Sequence, residues 1–210
     1  MAEFNSYFLG RVTKSLGNVT TCYMNGRNIA KAKIVSRKDN PTPEMLNQRA
    51  RMKVLIQLSR QLLPVVQKGF VGIGKGTTSN AFVSLNQAAV EVDDKHVATV
   101  SFEALKVASG ILYMPKVTVT YTEETKKYLF EQEMQEEEDG YALADDKVYG
   151  VLFESVLNRA KIVMLRERGE SGSTSMALPE DWDSTQVKVY CFATLKNGRA
   201  ASDSRNLAIG

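Results

Sequence analysis

The sequence predicts an α+β protein: a basic hairpin-and-helix module over residues 1–110, then an acidic β-sandwich domain over 111–210. Three observations carry this. Asn25-Gly26 sits between two strand-like stretches, a long amphipathic helical pattern starts inside Asn40–Arg51, and short alternating stretches recur after Gly110. Apolar residues make up 43% of the chain, enough for a real core.

In chain order, residues 7–23 and 27–36 read as two strands joined at Met24-Asn25-Gly26. Asn-Gly favours a hairpin because both residues tolerate positive φ. Alternation puts Arg27, Ile29, Lys31, Lys33, Val35 and Arg37 on one face of the second strand. Asn28, Ala30, Ala32, Ile34 and Ser36 fall on the other. Asn40-Pro41-Thr42-Pro43 then ends the strand, with Thr42 as a helix N-cap and Pro43 at the first helical position. The helix should run from about Glu44 to Lys68, with Met52, Leu55, Leu58, Leu62 and Val66 as its apolar stripe. Pro64 should kink or split it, and Arg49, Lys53, Arg60 and Gln67 line the opposite side. A second helix is expected over Asn80–Val92, with Ala81, Leu85 and Ala88 or Ala89 on one face. Strands are expected over Lys116–Thr122, Val148–Glu154, Ala160–Arg166, Val187–Thr194 and Asp203–Ile209. The run Glu131–Asp139 reads as a loop or a charged edge.

Charge is segregated. Up to Lys75 the chain carries thirteen basic and three acidic residues, giving +10, whereas residues from Val117 onward carry eleven basic and seventeen acidic side chains, giving −6. A basic front and an acidic back suit two different partners, or copies that attract head to tail. The start of the chain has neither a basic n-region nor an apolar h-region, so export by a signal peptide is not expected. No apolar run is long enough to cross a bilayer, so no membrane partner is expected. The Asn18-Val19-Thr20 sequon has no meaning without secretion.

Catalytic signals are weak. Gly69–Thr77 is close to a P-loop, but Gly76 follows Lys75 where Ser or Thr must ligate magnesium, and a helix rather than a strand precedes it. His96, the one histidine, stands in Asp93-Asp94-Lys95-His96 with no nucleophile elbow nearby and reads as a surface residue. Glu136-Glu137-Glu138-Asp139 and Asp145-Asp146 lack the spacing of a calcium loop. Cys22 and Cys191 form no zinc pattern and read as buried apolar residues, with a single bridge between them left open. These patterns assign no catalytic residue, cofactor, metal or small-molecule substrate.

The basic front carries the functional content. Arg27, Lys31, Lys33, Arg37, Arg49 and Lys53, with Arg11 and Arg60, could contact phosphates or an acidic protein. Tyr7, Phe8 and Tyr23 could supply stacking rings or be core. Glu131, Glu133, Glu136, Glu137, Glu138 and Asp139 form the acidic partner surface.

Several short pieces carry a family resemblance: Gly17-Asn18-Val19, Tyr23-Met24-Asn25-Gly26-Arg27, Asn40-Pro41 with Gln48-Arg49-Ala50, Gly69-Phe70, Asn80–Asn86, the late Val-Tyr strand, and Ser202–Gly210. In these the chain resembles an uncharacterised bacterial and phage family of Bacteroides-type genomes, over nearly its whole length. The family usually reads Asn-Pro-Arg-Thr where this chain has Asn40-Pro41-Thr42-Pro43. The resemblance implies a β-hairpin, helices and an immunoglobulin- or fibronectin-like sandwich, and it supplies no assigned activity. The expected function is a non-enzymatic structural or adaptor component of a phage virion, capsid-associated or at the head–tail connection. Its partners would be copies of itself and other assembly proteins. The alternative is a nucleic-acid-binding module using the basic face.

Overall fold

The computed structural model describes residues 2–5, 10–34, 36, 39–74 and 76–210, and it is a mixed helix-and-sheet protein with several antiparallel sheets. Two compact units divide between Pro41 and Thr42, not after Gly110. The boundary lies earlier because the helices and the C-terminal strands share one core.

The first unit, Met1–Pro41, is a four-stranded antiparallel sheet of β1 (Ala2–Phe4), β2 (Lys14–Leu16), β3 (Val19–Met24) and β4 (Arg27–Ala32), in the order β1-β4-β3-β2. Asn25 and Gly26 have φ of 52° and 81°, the left-handed pair that a tight β3–β4 turn requires. The long first strand expected over 7–23 is broken at Gly17-Asn18, where a second turn folds β2 onto β3. The second strand ends at Ala32, earlier than expected. The Asn28 side chain closes this unit: its carbonyl accepts from the Val12 N–H (3.0 Å) and its amide donates to the Gly10 carbonyl (2.9 Å).

The second unit, Thr42–Gly210, opens with α1 (Pro43–Gln61). Thr42 caps it, its hydroxyl accepting from the Met45 N–H, with Pro43 in the first turn. Pro64 lies in the first turn of a separate helix, α2 (Leu63–Gly69), so it splits the helical pattern. Leu55, Leu58, Leu62 and Val66 are buried and Met52 packs against them, as the stripe predicts. The next helix, α3 (Thr78–Leu85), is shorter than expected. Asn86 ends it: its amide donates to the Phe82 and Lys106 carbonyls, and its carbonyl accepts from the Lys106 N–H. The chain then runs through a short 3₁₀ turn into the hairpin β5 (Val90–Val92) and β6 (Ala98–Val100). The helix face is also corrected: Ala81, Phe82, Val83 and Ala89 are buried, whereas Leu85 is exposed.

Seven further strands follow: β7 (Val117–Thr122), β8 (Lys127–Gln132), β9 (Lys147–Glu154), β10 (Arg159–Glu167), β11 (Gly172–Ala177), β12 (Val187–Thr194) and β13 (Arg205–Leu207). They form an antiparallel sheet in the order β10-β9-β12-β13 and another in the order β11-β8-β7. The strands β9 and β12 are buried on both faces, which is why they read as nearly continuous apolar runs. Tyr149, Val151, Phe153, Tyr190 and Phe192 meet the helices in one core. Val148, Leu152, Val189, Cys191 and Ala193 meet Val119, Tyr128 and Phe130 of the smaller sheet in another. Three layers result: helices, larger sheet, smaller sheet. Gly150 is required at the inner interface, since a Cβ there would stand 2.8 Å from the Phe130 ring. The sequence reading missed β8 and β11. In β8 the buried Tyr128, Phe130 and Gln132 alternate beside charged neighbours, and β11 is mostly Gly, Ser and Thr.

Candidate interaction surfaces

Each unit exposes a surface that mixes charged with apolar side chains. On the first, register and alternation place Cys22, Met24, Arg27, Ile29 and Lys31 on one face of the sheet. Arg27 pairs with Glu3 at 3.0 Å, and both side chains are exposed. Arg11 covers the Tyr23 ring on the opposite face, 4.8 Å from its centroid, so Tyr23 is not an open stacking platform. Lys33 follows β4 and is exposed, its N–H donating to the Asn18 carbonyl. Arg37, Tyr7 and Phe8 lie outside the described residues. Arg49 and Lys53 sit on the exposed side of α1 and therefore belong to the second unit. The basic residues expected to act together thus fall on two different units. Arg27 and Lys31 share one sheet face; Lys53 and Arg60 line a shallow hollow on α1 with Ile56.

Cys22 is exposed and Cys191 fully buried, and both are free thiols, which corrects the expectation that both are core. Burial pushes the Cys191 thiol up to about 12, whereas Cys22 stands on the basic face, open to reagents.

The second surface is built on an internal ion pair. Arg168 and Asp146 are 1% and 0% exposed and meet at 3.0 Å. The Arg168 guanidinium also donates to Gln135 Oε1 (2.9 Å) and to the Tyr113 carbonyl (2.8 Å). Burial lowers the pKa of Arg168, while the charge of Asp146 and its hydrogen bond pull the other way. Asp146 Oδ2 also accepts from the Leu143 N–H, and Oδ1 is buried with no partner. One arginine therefore fastens three segments: the 113 connector, the 135 loop and the 146 turn. Gln135 extends the clamp, donating through Nε2 to the Met114 carbonyl.

Above this base, side chains that seldom stand in water are exposed together. Tyr113 and Tyr141 contact each other, ring centroids 6.1 Å apart, and their backbones bond at 3.0 Å. Met134 (58% exposed) and Met114 (48%) are exposed on the two segments that the Gln135 Nε2 bond to the Met114 carbonyl joins. Met134, Glu136, Glu137 and Glu138 line a hollow of about 440 Å³ with Lys116 and Ala142. Asp139 and Gly140 turn the chain at φ of 47° and 72°, and Glu138 pairs with Ala142 across that turn. Most of the acidic run is a loop, as one of the two expectations had it: Glu133 and Glu136–Asp139 follow β8, whereas Glu131 lies within β8, the middle strand of its sheet and not an edge. Sequence reasoning found the carboxylates but missed Tyr113, Met114, Tyr141 and Arg168. Arg168 sits within Arg166-Glu167-Arg168-Gly169-Glu170, which reads locally as solvated.

The remaining motifs take structural places. His96 lies in the β5–β6 turn, half-buried, at φ 61°, with its ring bonded to the Asn47 side chain of α1. The P-loop-like segment follows α2 and contains Gly72, Gly74 and Gly76 at positive φ, and the Thr77 hydroxyl caps α3. Lys75 is outside the described residues. Among the described residues no group of three or more His, Cys, Asp or Glu could hold a metal ion, and no helix is long and apolar enough to cross a membrane. No family model, curated protein or solved structure matches the chain.

Proposed function

We propose that this chain is a non-enzymatic structural or adaptor component of a large assembly, a phage virion protein of the capsid-associated or head–tail connector kind. It would reside in the particle, or in the bacterial host cytoplasm during synthesis, with copies of itself and other assembly proteins as partners. On this reading the β10-β9-β12-β13 and β11-β8-β7 sheets make an immunoglobulin- or fibronectin-like sandwich.

The observation that carries it is the contrast between units. Among the described residues of the first, only Thr21 and Asn28 are buried, so it has no apolar core of its own. A segment this small is stabilised by burying surface against something else. The second has a complete three-layer core and still exposes a cluster of two tyrosines and two methionines. Exposed aromatic and methionine side chains of this kind support a protein-binding role.

Sedimentation velocity over a wide concentration range, at low and moderate salt, tests the proposal. Concentration-dependent association that weakens with salt without vanishing is the expected result, because charge steers and apolar contact holds. A chain that stays monomeric throughout, yet binds mixed-sequence DNA with a steep loss in salt, overturns it in favour of a nucleic-acid-binding module.

A further inference from the structure

We infer that the basic sheet face of Met1–Pro41 docks on the tyrosine–methionine patch of a second copy of this chain. This rests on the assembly reading above and names the contact within it.

The two surfaces complement one another in chemistry. The donor face carries Met24 and Ile29 with Arg27 and Lys31, and Glu3, opposite Ile29, pairs with Arg27 at its exposed edge. Its unit has seven basic and two acidic residues, a net +5. The acceptor offers exposed Tyr113 and Tyr141 in contact, exposed Met114 next to Tyr113 in the chain, and Met134 lining a hollow with Glu136, Glu138 and Lys116. Aromatic residues and methionine at the centre with charge at the rim is the usual anatomy of a protein interface. Nucleic acid would be repelled from the acceptor by the same carboxylates that attract the donor. A further copy supplies both halves from one gene product.

The base of the acceptor is tied down before binding. Arg168 fixes the Tyr113 and Gln135 segments from below, so little ordering is required when a partner arrives. The donor face needs cover for the opposite reason, since its own unit gives it no apolar core among the described residues. Donor and acceptor are different surfaces, so the contact is heterologous and each copy offers both ends. Repetition gives a ring or an open filament.

A complementation experiment tests this. One variant carries Arg27→Glu and Lys31→Glu and so loses the donor face; the other carries Glu136→Lys and Glu138→Lys and so loses the acceptor rim. All four side chains are exposed, and the Arg27–Glu3 pair lost in the first variant is a solvated one, so both variants should melt close to the wild type. Each alone should self-associate about 100-fold more weakly than the wild type. Mixed, they should form a one-to-one dimer and nothing larger, because only one intact donor and one intact acceptor remain per pair. The wild type supplies a second reading. Alkylation of Cys22, which stands on the donor face, should slow at concentrations where the protein associates, with buried Cys191 as the unreactive internal control. Wild-type association with no protection of Cys22 and no effect of either variant overturns this contact and leaves the assembly reading standing. A wild type that never associates overturns both.

Discussion

The two units reach ordered structure by different physics. In Met1–Pro41 the order is local and polar: an Asn25-Gly26 turn, a Gly17-Asn18 turn, ladder hydrogen bonds, and Asn28 tying down Gly10 and Val12. In Thr42–Gly210 it is long-range and apolar, with α1 and α2 packed on strands far along the chain. Turn chemistry suffices to specify a sheet's register but adds little to its stability, which comes from burial.

The comparison breaks most sharply at Arg168. Arg168→Met leaves the Asp146 carboxylate buried and unpaired, which should cost about 3–5 kcal/mol in urea unfolding of the second unit. Adding Asp146→Leu should recover much of that loss, because two apolar groups need no counter-charge. If Arg168→Met unfolds like the wild type, the clamp does not hold the patch.

Leucines measure the difference in cores directly. Leu58→Ala, at a buried position on α1, should cost about 2–5 kcal/mol. Leu16→Ala, at a position 75% exposed in β2, should stay within about 0.5 kcal/mol. Equal effects would remove the distinction between the units.

Asn28→Ala should act on the first unit alone. It strands the Gly10 carbonyl and the Val12 N–H and should cost about 1–3 kcal/mol of local stability. Hydrogen exchange should show faster amides in β3 and β4, with global unfolding of the second unit unchanged. At the start of that second unit, Thr42→Ala removes the helix cap and should cost about 1 kcal/mol, read as a lower melting temperature.

The smallest expected effect is a pH dependence. Burial alone would raise the Asp203 carboxyl, but hydrogen bonds from the Ser109 hydroxyl, the Gly110 N–H and Lys106 outweigh it and hold the group below its ordinary 3.8. A depressed carboxylate stabilises the fold above its unfolded value, and the contribution is lost as pH falls through the lower, folded value. The wild type should therefore melt above Asp203→Asn at pH 6, and the gap should close toward pH 3. The effect is small because the Lys106–Asp203 pair is partly solvated. A gap that widens on acidification would contradict the assigned hydrogen bonds.

Much of the local structure was legible in the residues. Asn25-Gly26 makes its turn, Thr42 and Pro43 start α1, Pro64 divides the helices, and Leu55, Leu58, Leu62 and Val66 face the core. Each depends on φ preference, capping or spacing within a few neighbours, so the information sits where the structure does. The carboxylates of the candidate surface were legible in the same way, as a run. Arrangement across distance was not. That the helices join the late strands in one core, that Leu85 faces out, that Arg168 is buried in a charged stretch, and that Tyr113 meets Tyr141 were decided only by the folded chain. A side chain's burial is set by what arrives from elsewhere: Arg168 is enclosed by residues 22 to 55 positions away. Local sequence fixes which conformations are cheap, and tertiary packing selects which surfaces survive.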